Sequence, residues 1–468
     1  MPRSVSFCVF AVAAGLALAA TNAPGSCSGS GSNSASAPIE QPGPSQPVVQ
    51  TNSAAFPGAT GYGAASRGGR DGRIMWVTTT ADNTSGSLRE CLEARGARVC
   101  IFRTGGIFRF VGRPPVIHDP YLTIAGESAP APGVTLAHSG GSEARTPLVV
   151  KGTHDVVVRH IRVRNDIEGE HRQSEDSFTI EDSDNVILDH VSGSWARDEL
   201  VNGYGDNDRI TISNSIFAEG IPRHDKCALL ASDPTGAQRL SFIGNLCAHN
   251  GDRNPDVNFP PMSCVEIINN TFYNAQSAFA EIWSSFGGSP VSLVGNSFIA
   301  GPNTGHNAIG IMQHELNATG EAQIYEWDNA FDGRFVHIGP EVAAVRVAEP
   351  PCPLTVNPLS PADAYRRVLA SSGALPRDAV DERIVTEVRN RSGSIVQAPG
   401  SIPARFLAGS TEPAYPDIDR DGMDDGWEEA NGIDRYEPDA WEDADRDGIA
   451  NLEEFLAYRH TQLMNAAR

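Results

Sequence analysis

Positive charge is what this 468-residue chain lacks most: 36 Lys and Arg stand against 58 Asp and Glu, a formal net charge of −22. A nucleic-acid partner needs a basic footprint to neutralise phosphates, so that class of function is excluded. After the first twenty residues no apolar run reaches the roughly 20 residues that a membrane-spanning helix requires. No serine sits in a Gly-x-Ser-x-Gly context, which removes a nucleophile-elbow hydrolase and with it a Ser-His-Asp triad.

The start of the chain carries an address. Arg3, the apolar run from Phe7 to Ala20 and the small residues at Ala17 to Ala19 read as a secretory signal over 1–23. A Ser, Gly, Pro and Gln tether over 24–52 follows, with nothing to pack. The chain is therefore expected outside the cell, as a monomer. Cys27 stands where a lipid-anchored bacterial protein carries its acylated cysteine, which is the alternative to free secretion. Six further cysteines, an even number in an exported chain, point to disulfides. Cys91–Cys100 is the local pair; the spacing leaves the connectivity of the other four open, with Cys227–Cys247 and Cys264–Cys352 as one choice and free buried thiols as the alternative.

What is present in abundance is a repeat. Leu240 to Asn245, Val265 to Asn270, Val291 to Asn296 and Ile324 to Asn329 each alternate apolar residues and end on Asn. Those asparagines lie 25, 26 and 33 residues apart. Units of that length cannot bury their own apolar faces and must stack. Asn tolerates the left-handed bend, and its amide can bond to the Asn of the next unit. The expected fold is all-β, a right-handed single-stranded parallel β-helix over 53–345, with a helical segment over 346–408.

The acid is concentrated at the end: 17 acids and 3 bases lie between Glu412 and Glu454, a local charge of −14. Asp417, Asp419, Asp421, Gly422, Asp425 and Glu428 fall at positions one, three, five, six, nine and twelve of an EF-hand loop. Asp443, Asp445, Asp447, Gly448, Asn451 and Glu454 repeat the pattern 26 residues later. Alternate oxygens point inward, Gly permits the sharp turn and the last Glu closes the shell. Residues 409–468 are thus expected to hold Ca²⁺ in paired loops, with short helices beginning near Trp427 and Leu452 and a structural or partner-docking role.

Several further stretches carry a family resemblance. They are Ala55 to Gly63, Ser85 to Glu90, Ile101 to Phe108, Val186 to His190 with Ser194-Trp195, and Ala248 to Pro255. Together they resemble the bacterial pectate lyases of the polysaccharide lyase family 1 type, and the segments 364–370 and 378–385 are similar to the helices that end many of those enzymes. The resemblance implies calcium-assisted β-elimination of α-1,4-linked polygalacturonate, giving 4,5-unsaturated ends. It places the primary Ca²⁺ on Asp176, Asp198 and Asn202. The third position is acidic in the best-known members, so Asn202 is a departure for which Glu175 and Glu199 could compensate. It assigns the proton acceptor to Arg253 and substrate binding to Lys226, with His224 and His249 as helpers. A second departure is Asn258, where the family often has a substrate-binding arginine, and Asp256 stands where many relatives are basic. Asp189-His190 is expected to be scaffold.

Read from chemistry alone, the same residues leave other roles open. The acids could cap turns, Arg253 could clamp a substrate carboxylate while staying charged, and lone histidines commonly serve as scaffold. The lost positive charge favours partly methylated pectin or another uronan over fully acidic pectate. A β-helical glycoside hydrolase and a non-catalytic calcium-dependent adhesin on a lyase scaffold are the rival readings.

Overall fold

One chain winds three parallel sheets, and each coil contributes one strand to each. The computed structural model describes residues 54–467, apart from 138–144, 167–174, 223, 319 and 403–408. The expected signal, the tether and Cys27 lie outside the described residues. A representative coil runs through strand His154–Arg159 of the first sheet, Ile161–Arg164 of the third and Phe178–Glu181 of the second. The next coil repeats this as Asp184–Asp189, Ser192–Ser194 and Glu199–Tyr204. Among the described residues ten strands line the first sheet and nine each of the others, every pair parallel, as in Val156 beside Val186 beside Ile210. This is the all-β parallel β-helix expected from the asparagine spacing.

Alternate strand residues point inward, so Val156, Val158, Val186, Leu188, Ile210 and Ile212 fill one continuous core. Burying each such side chain contributes about 1.5–3 kcal/mol. Coils also meet ring to ring inside, Phe217 on Phe242 with centroids 6.3 Å apart and Phe298 on Phe331 at 5.0 Å. No unit could supply this core alone, which is why the repeats stack.

The bend from the first sheet to the third carries the ladder. Asn245 Nδ2 donates to Asn270 Oδ1 (3.1 Å), Asn270 Nδ2 to Asn296 Oδ1 (3.0 Å) and Asn296 Nδ2 to Asn329 Oδ1 (3.0 Å). Each of these oxygens also accepts the preceding ladder residue's backbone N–H. The left-handed backbone, however, sits one residue earlier, at Gly244, Asn269, Gly295 and Asp328, with φ between 48° and 69°. Two properties that the sequence reading placed on one asparagine are divided between neighbours. One residue turns the chain and the next satisfies buried amides across coils.

Among the described residues the cysteines pair as Cys91–Cys100, Cys227–Cys247 and Cys264–Cys352. Helices Pro361–Ser371 and Ala379–Asn390 cover the third sheet, laying Val368, Leu369, Ile384 and Val388 on Ile216, Leu246 and Tyr273. Beneath them Arg164 is fully buried and ion-paired to Asp378 (2.9 Å) and Asp381 (2.8 Å).

The acidic tail packs on the outer face of the first sheet at its early strands. Leu452, Phe455, Leu456 and Met423 cover Val99, Ile101 and Ala125, and Arg70 pairs with Glu453 at 2.6 Å. The last helix, Asn451–Ala466, has 16 residues where a short one was expected. Its inner face gains length by lying along the solenoid.

Candidate active site in the second sheet

Loops from the third sheet to the second, together with the strands they enter, bring the candidate residues together on the outer face of the second sheet. Neighbouring strands there set the order, with Glu199 beside Lys226, and Asp256 beside Glu281. Asp176 lies just before strand Phe178–Glu181 and is 5% exposed. Its Oδ1 accepts the Glu199 N–H (3.2 Å), and its Oδ2 accepts Thr179 Oγ1–H (2.6 Å) and Asn202 Nδ2–H (3.3 Å). Asp198, Glu199 and His224 each offer one ligand atom within 4.8 Å of the others. His224 Nδ1 bonds Asp198 Oδ1.

The charges here are in conflict. Burial and then the Glu199 carboxylate hold Asp176 well above the usual carboxylate range. Glu199 is pushed up to about 7 by burial and by the adjoining Asp198. Burial also pushes Asp198 up, but His224, Glu199 and Arg253 together outweigh it and hold that carboxyl low. Buried acids in mutual repulsion fit a cation with hard oxygen ligands. Asn202 fits too: its Oδ1 is buried and has no hydrogen-bond partner while its Nδ2 occupies the carboxylates. Exchanging the two ends of that amide would turn the orphaned oxygen toward the acids.

Glu175 does not join this group. It is fully buried, accepts Asn165 Nδ2–H (2.7 Å) and is ion-paired with Arg197 (2.9 Å), so the compensation expected of it falls to Glu199 alone. His249 is also elsewhere, buried under the C-terminal helices between Asn274 (2.9 Å) and Glu387 (3.2 Å). It is scaffold, not a helper.

Arg253 has a left-handed backbone (φ 51°) just before strand Asp256–Val257. Nη1 is ion-paired with Glu199 Oε1 and Nε lies 3.4 Å from Asp256 Oδ2, while its N–H donates to Glu281 Oε1 at 3.0 Å. Burial pushes its pKa down, but Glu199 and Asp256 push it further up, so the guanidinium stays charged in this arrangement. Lys226, one of only two lysines in the chain, is paired with Asp252. Asn258 exchanges hydrogen bonds with Ser285 (2.7 and 2.8 Å), so its amide is already occupied.

Two participants were missed by sequence reasoning. Glu281 anchors the Arg253 backbone and Asp252 holds Lys226. Glu281 stands 25 residues after Asp256, one coil on, so the repeat length was the signal that could have found it. Burial raises both Asp256 and Glu281 above the usual carboxylate range.

The tail loops form a separate set of carboxylates. Asp417, Asp419 and Asp421 converge within 4.8 Å, as do Asp421, Glu428 and Asp439, and Asp443, Asp445 and Asp447. Both Glu428 carboxylate oxygens are buried without a partner, and burial with the Asp421 charge pushes Glu428 up to about 8. Asp421 is pushed up to about 7 by burial. Such unsatisfied anions suit a divalent cation. Gly422 (φ 95°) and Gly448 (φ 94°) make the turn at position six in both loops. Asp425 and Asn451, at position nine, point back within their own loops to the N–H of Ile418 (2.9 Å) and Ala444 (3.1 Å). Asp439 was not foreseen. Glu454 is pushed up by burial and the second loop's acids.

No family model matches the chain. Among curated proteins, a probable pectate lyase C of Aspergillus flavus is 32% identical over 412 residues, covering 85% of this chain and 92% of its own. A probable pectate lyase C of Aspergillus fumigatus is 31% identical over 391 residues, 81% and 88% respectively. These relatives are fungal, whereas the sequence resemblance was drawn to bacterial enzymes; a pectate lyase E of Dickeya chrysanthemi matches 27% of the chain at 30% identity. Among solved structures, jun a 1, the major allergen from cedar pollen, shares the fold with a TM-score of 0.52 at 20% identity, covering 68% of this chain and 93% of its own. With two relatives above 30% identity aligned over most of both chains, and a parallel β-helix beneath them, this protein belongs to the pectate lyase family.

Proposed function

We propose that this chain cleaves α-1,4-linked polygalacturonate by calcium-assisted β-elimination, in a groove along the second sheet, releasing 4,5-unsaturated oligogalacturonides. The observation that carries the reading is the convergence of Asp176, Asp198, Glu199, Asn202 and Arg253 from three coils within a run of four. Asp176, Asp198, Glu199 and Asn202 would hold the Ca²⁺. When bound, the ion supplies charge stabilisation for the dianion that forms as the proton beside a uronate carboxylate is lost.

The chain's own residues account for the rest. Arg253 takes the C5 proton, the C5–H electron pair becomes the C4–C5 double bond, and the C4–O bond breaks as the glycosidic oxygen leaves. That role requires a neutral guanidine, and Glu199 opposes it while it pairs with Arg253. Glu199 serves as cation ligand or as partner of Arg253, and the first commitment frees the guanidinium. Lys226 is placed one strand on from Glu199 to neutralise the substrate carboxylate, once drawn from Asp252. His224 orients Asp198.

Asp256 and Glu281 supply a second reading of the substrate. They set negative charge beside Arg253, where a fully ionised pectate would bring more, so partly methyl-esterified galacturonan is the better tolerated chain. The tail loops would hold structural Ca²⁺ and could dock a partner protein or cell surface. The protein would act as a secreted monomer, with a lipid attachment at Cys27 as the anchored alternative.

The test is digestion of galacturonans of graded esterification, with and without chelator. The reading expects absorbance from a new conjugated double bond that chelator abolishes. Saturated reducing ends would point to hydrolysis, and binding without turnover to an adhesin.

A further inference from the structure

At the bend from the first sheet to the third, away from the second-sheet strands, three imidazoles meet. His160 and His190 occupy equivalent positions on adjacent coils, the left-handed residue at the bend from the first sheet to the third (φ 52° and 51°). In the next coils that position is Asn214, Gly244, Asn269 and Gly295. The backbone requirement explains a residue that tolerates positive φ there. It does not explain two stacked imidazoles (centroids 5.1 Å apart, 26° between planes) with a third delivered onto them. The third is His460 of the last helix, its ring 5.2 Å from His160 and 4.9 Å from His190.

The hydrogen bonds define which nitrogens are free. Asp189 Oδ2 accepts His190 Nδ1–H at 2.9 Å, leaving a lone pair on His190 Nε2. That nitrogen is buried, in a residue only 4% exposed, and has no hydrogen-bond partner. Asp189 is itself held by Ser213 (2.9 Å), Asn214 (2.8 Å) and Arg159 (3.3 Å), the outer-shell arrangement that orients metal-binding histidines. The nearby Arg159 charge is offset by Glu127 (2.9 Å) as well as Asp189. His460 Nδ1 lies 2.9 Å from His160 Nε2. Because His160 Nδ1 accepts the Leu375 N–H (3.2 Å), the proton between the two rings belongs to His160. One ligand nitrogen from each of the three lies within 4.8 Å of the others.

We propose that His160, His190 and His460 form a binding site for a divalent cation of the Zn²⁺ class, joining the tail helix to the solenoid. Three imidazoles without a carboxylate ligand favour such an ion over Ca²⁺, which takes oxygen ligands. This site is therefore separate in chemistry from the acid clusters of the groove and the tail loops. Coordination through His160 Nε2 moves that nitrogen's proton to Nδ1, which gives up the Leu375 N–H, so the ring binds as a neutral imidazole with no net proton released.

The test uses the full-length protein without a histidine tag, its oxygen sites saturated with Ca²⁺. Co²⁺ is titrated and read by its visible ligand-field absorption, with Zn²⁺ in competition. One equivalent is expected to bind in the wild type, and His190→Gln and His460→Gln are each expected to weaken it at least tenfold. Zn²⁺ should raise the melting temperature of the wild type and leave that of His460→Gln unchanged. Because His460 lies on the half-exposed face of a surface helix, that variant can be checked for native circular dichroism and unaltered elimination activity. Absence of Co²⁺ binding in the wild type, or unchanged affinity in a folded His460→Gln, would overturn the proposal.

Discussion

Glu199 and Arg253 lie 54 residues apart in the chain, yet Glu199 Oε1 and Arg253 Nη1 are directly ion-paired across two coils of the solenoid. The pair ties the acid cluster to the guanidinium and holds that guanidinium protonated. Replacing Arg253 by Ala should lower kcat about 10²–10⁴-fold, the usual range for a lost general base, with the melting temperature little changed. Glu199→Gln removes one oxygen anion and also releases Arg253. It should raise the calcium concentration needed for half activity more than it lowers kcat at saturating calcium. Initial rates across a calcium series separate the two effects.

Asn202 stands against the Asp176 and Glu199 carboxylates, and its buried Oδ1 has no partner. Asn202→Asp should lower the half-activating calcium concentration by about tenfold, because ligand charge tunes affinity at such sites. Activity measured against buffered free calcium reads this directly. An unchanged midpoint would remove Asn202 from the ligand set.

Stability along the solenoid should depend on the asparagine ladder. Asn270 accepts from Asn245 through both N–H (2.8 Å) and Nδ2–H (3.1 Å), and its Nδ2 donates to Phe242 O (2.8 Å). Asn270→Ala leaves buried polar groups without partners, at about 1–3 kcal/mol. Urea unfolding should show the midpoint falling with the slope unchanged.

Asp82 predicts a pH effect. Burial raises its pKa, but bonds from Arg89 (2.8 and 2.9 Å) and the Val111 N–H (2.6 Å) outweigh it, so its carboxyl is held below the usual range. A folded value below the unfolded one gives stability that is complete above about pH 4 and is lost as pH falls through the folded value. Asp82→Asn should therefore destabilise the protein at pH 6 and matter less at pH 3. Urea midpoints at the two pH values check the sign.

Removing the tail after residue 408 would uncover Val99, Ile101 and Ala125, which Leu452 and Phe455 now bury. The melting temperature should fall, while elimination per folded molecule persists, because the groove residues lie on another sheet. Chelation should lower the melting temperature of the full chain as well, since Glu428 and Asp421 are then left buried and unsatisfied. Calorimetry on both forms, with and without calcium, distinguishes the two contributions.

Much of this was legible in order along the chain. Alternation ending in Asn announced the strands, and Asp at every second position with Gly at the sixth announced the tail loops. Both are short-range patterns, in which residue type and spacing act within one coil or one loop. The exclusion of Glu175 was not legible, because its consumption by Arg197 and Asn165 depends on which side of the loop faces inward. The retirement of His249 likewise needed Glu387, a helix residue far along the chain.

The sequence by itself therefore determined the winding, the local Cys91–Cys100 pair, the acid loops and the family, because each is encoded by local periodicity or residue identity. Only the tertiary structure decided which groups meet. Glu281 reaches Arg253 across 28 residues, Asp439 joins the first tail loop, and His460 arrives at His160 across 300. Those meetings follow from the length of each coil and from where an apolar helix face finds cover, quantities set by the whole packed chain rather than by any segment of it.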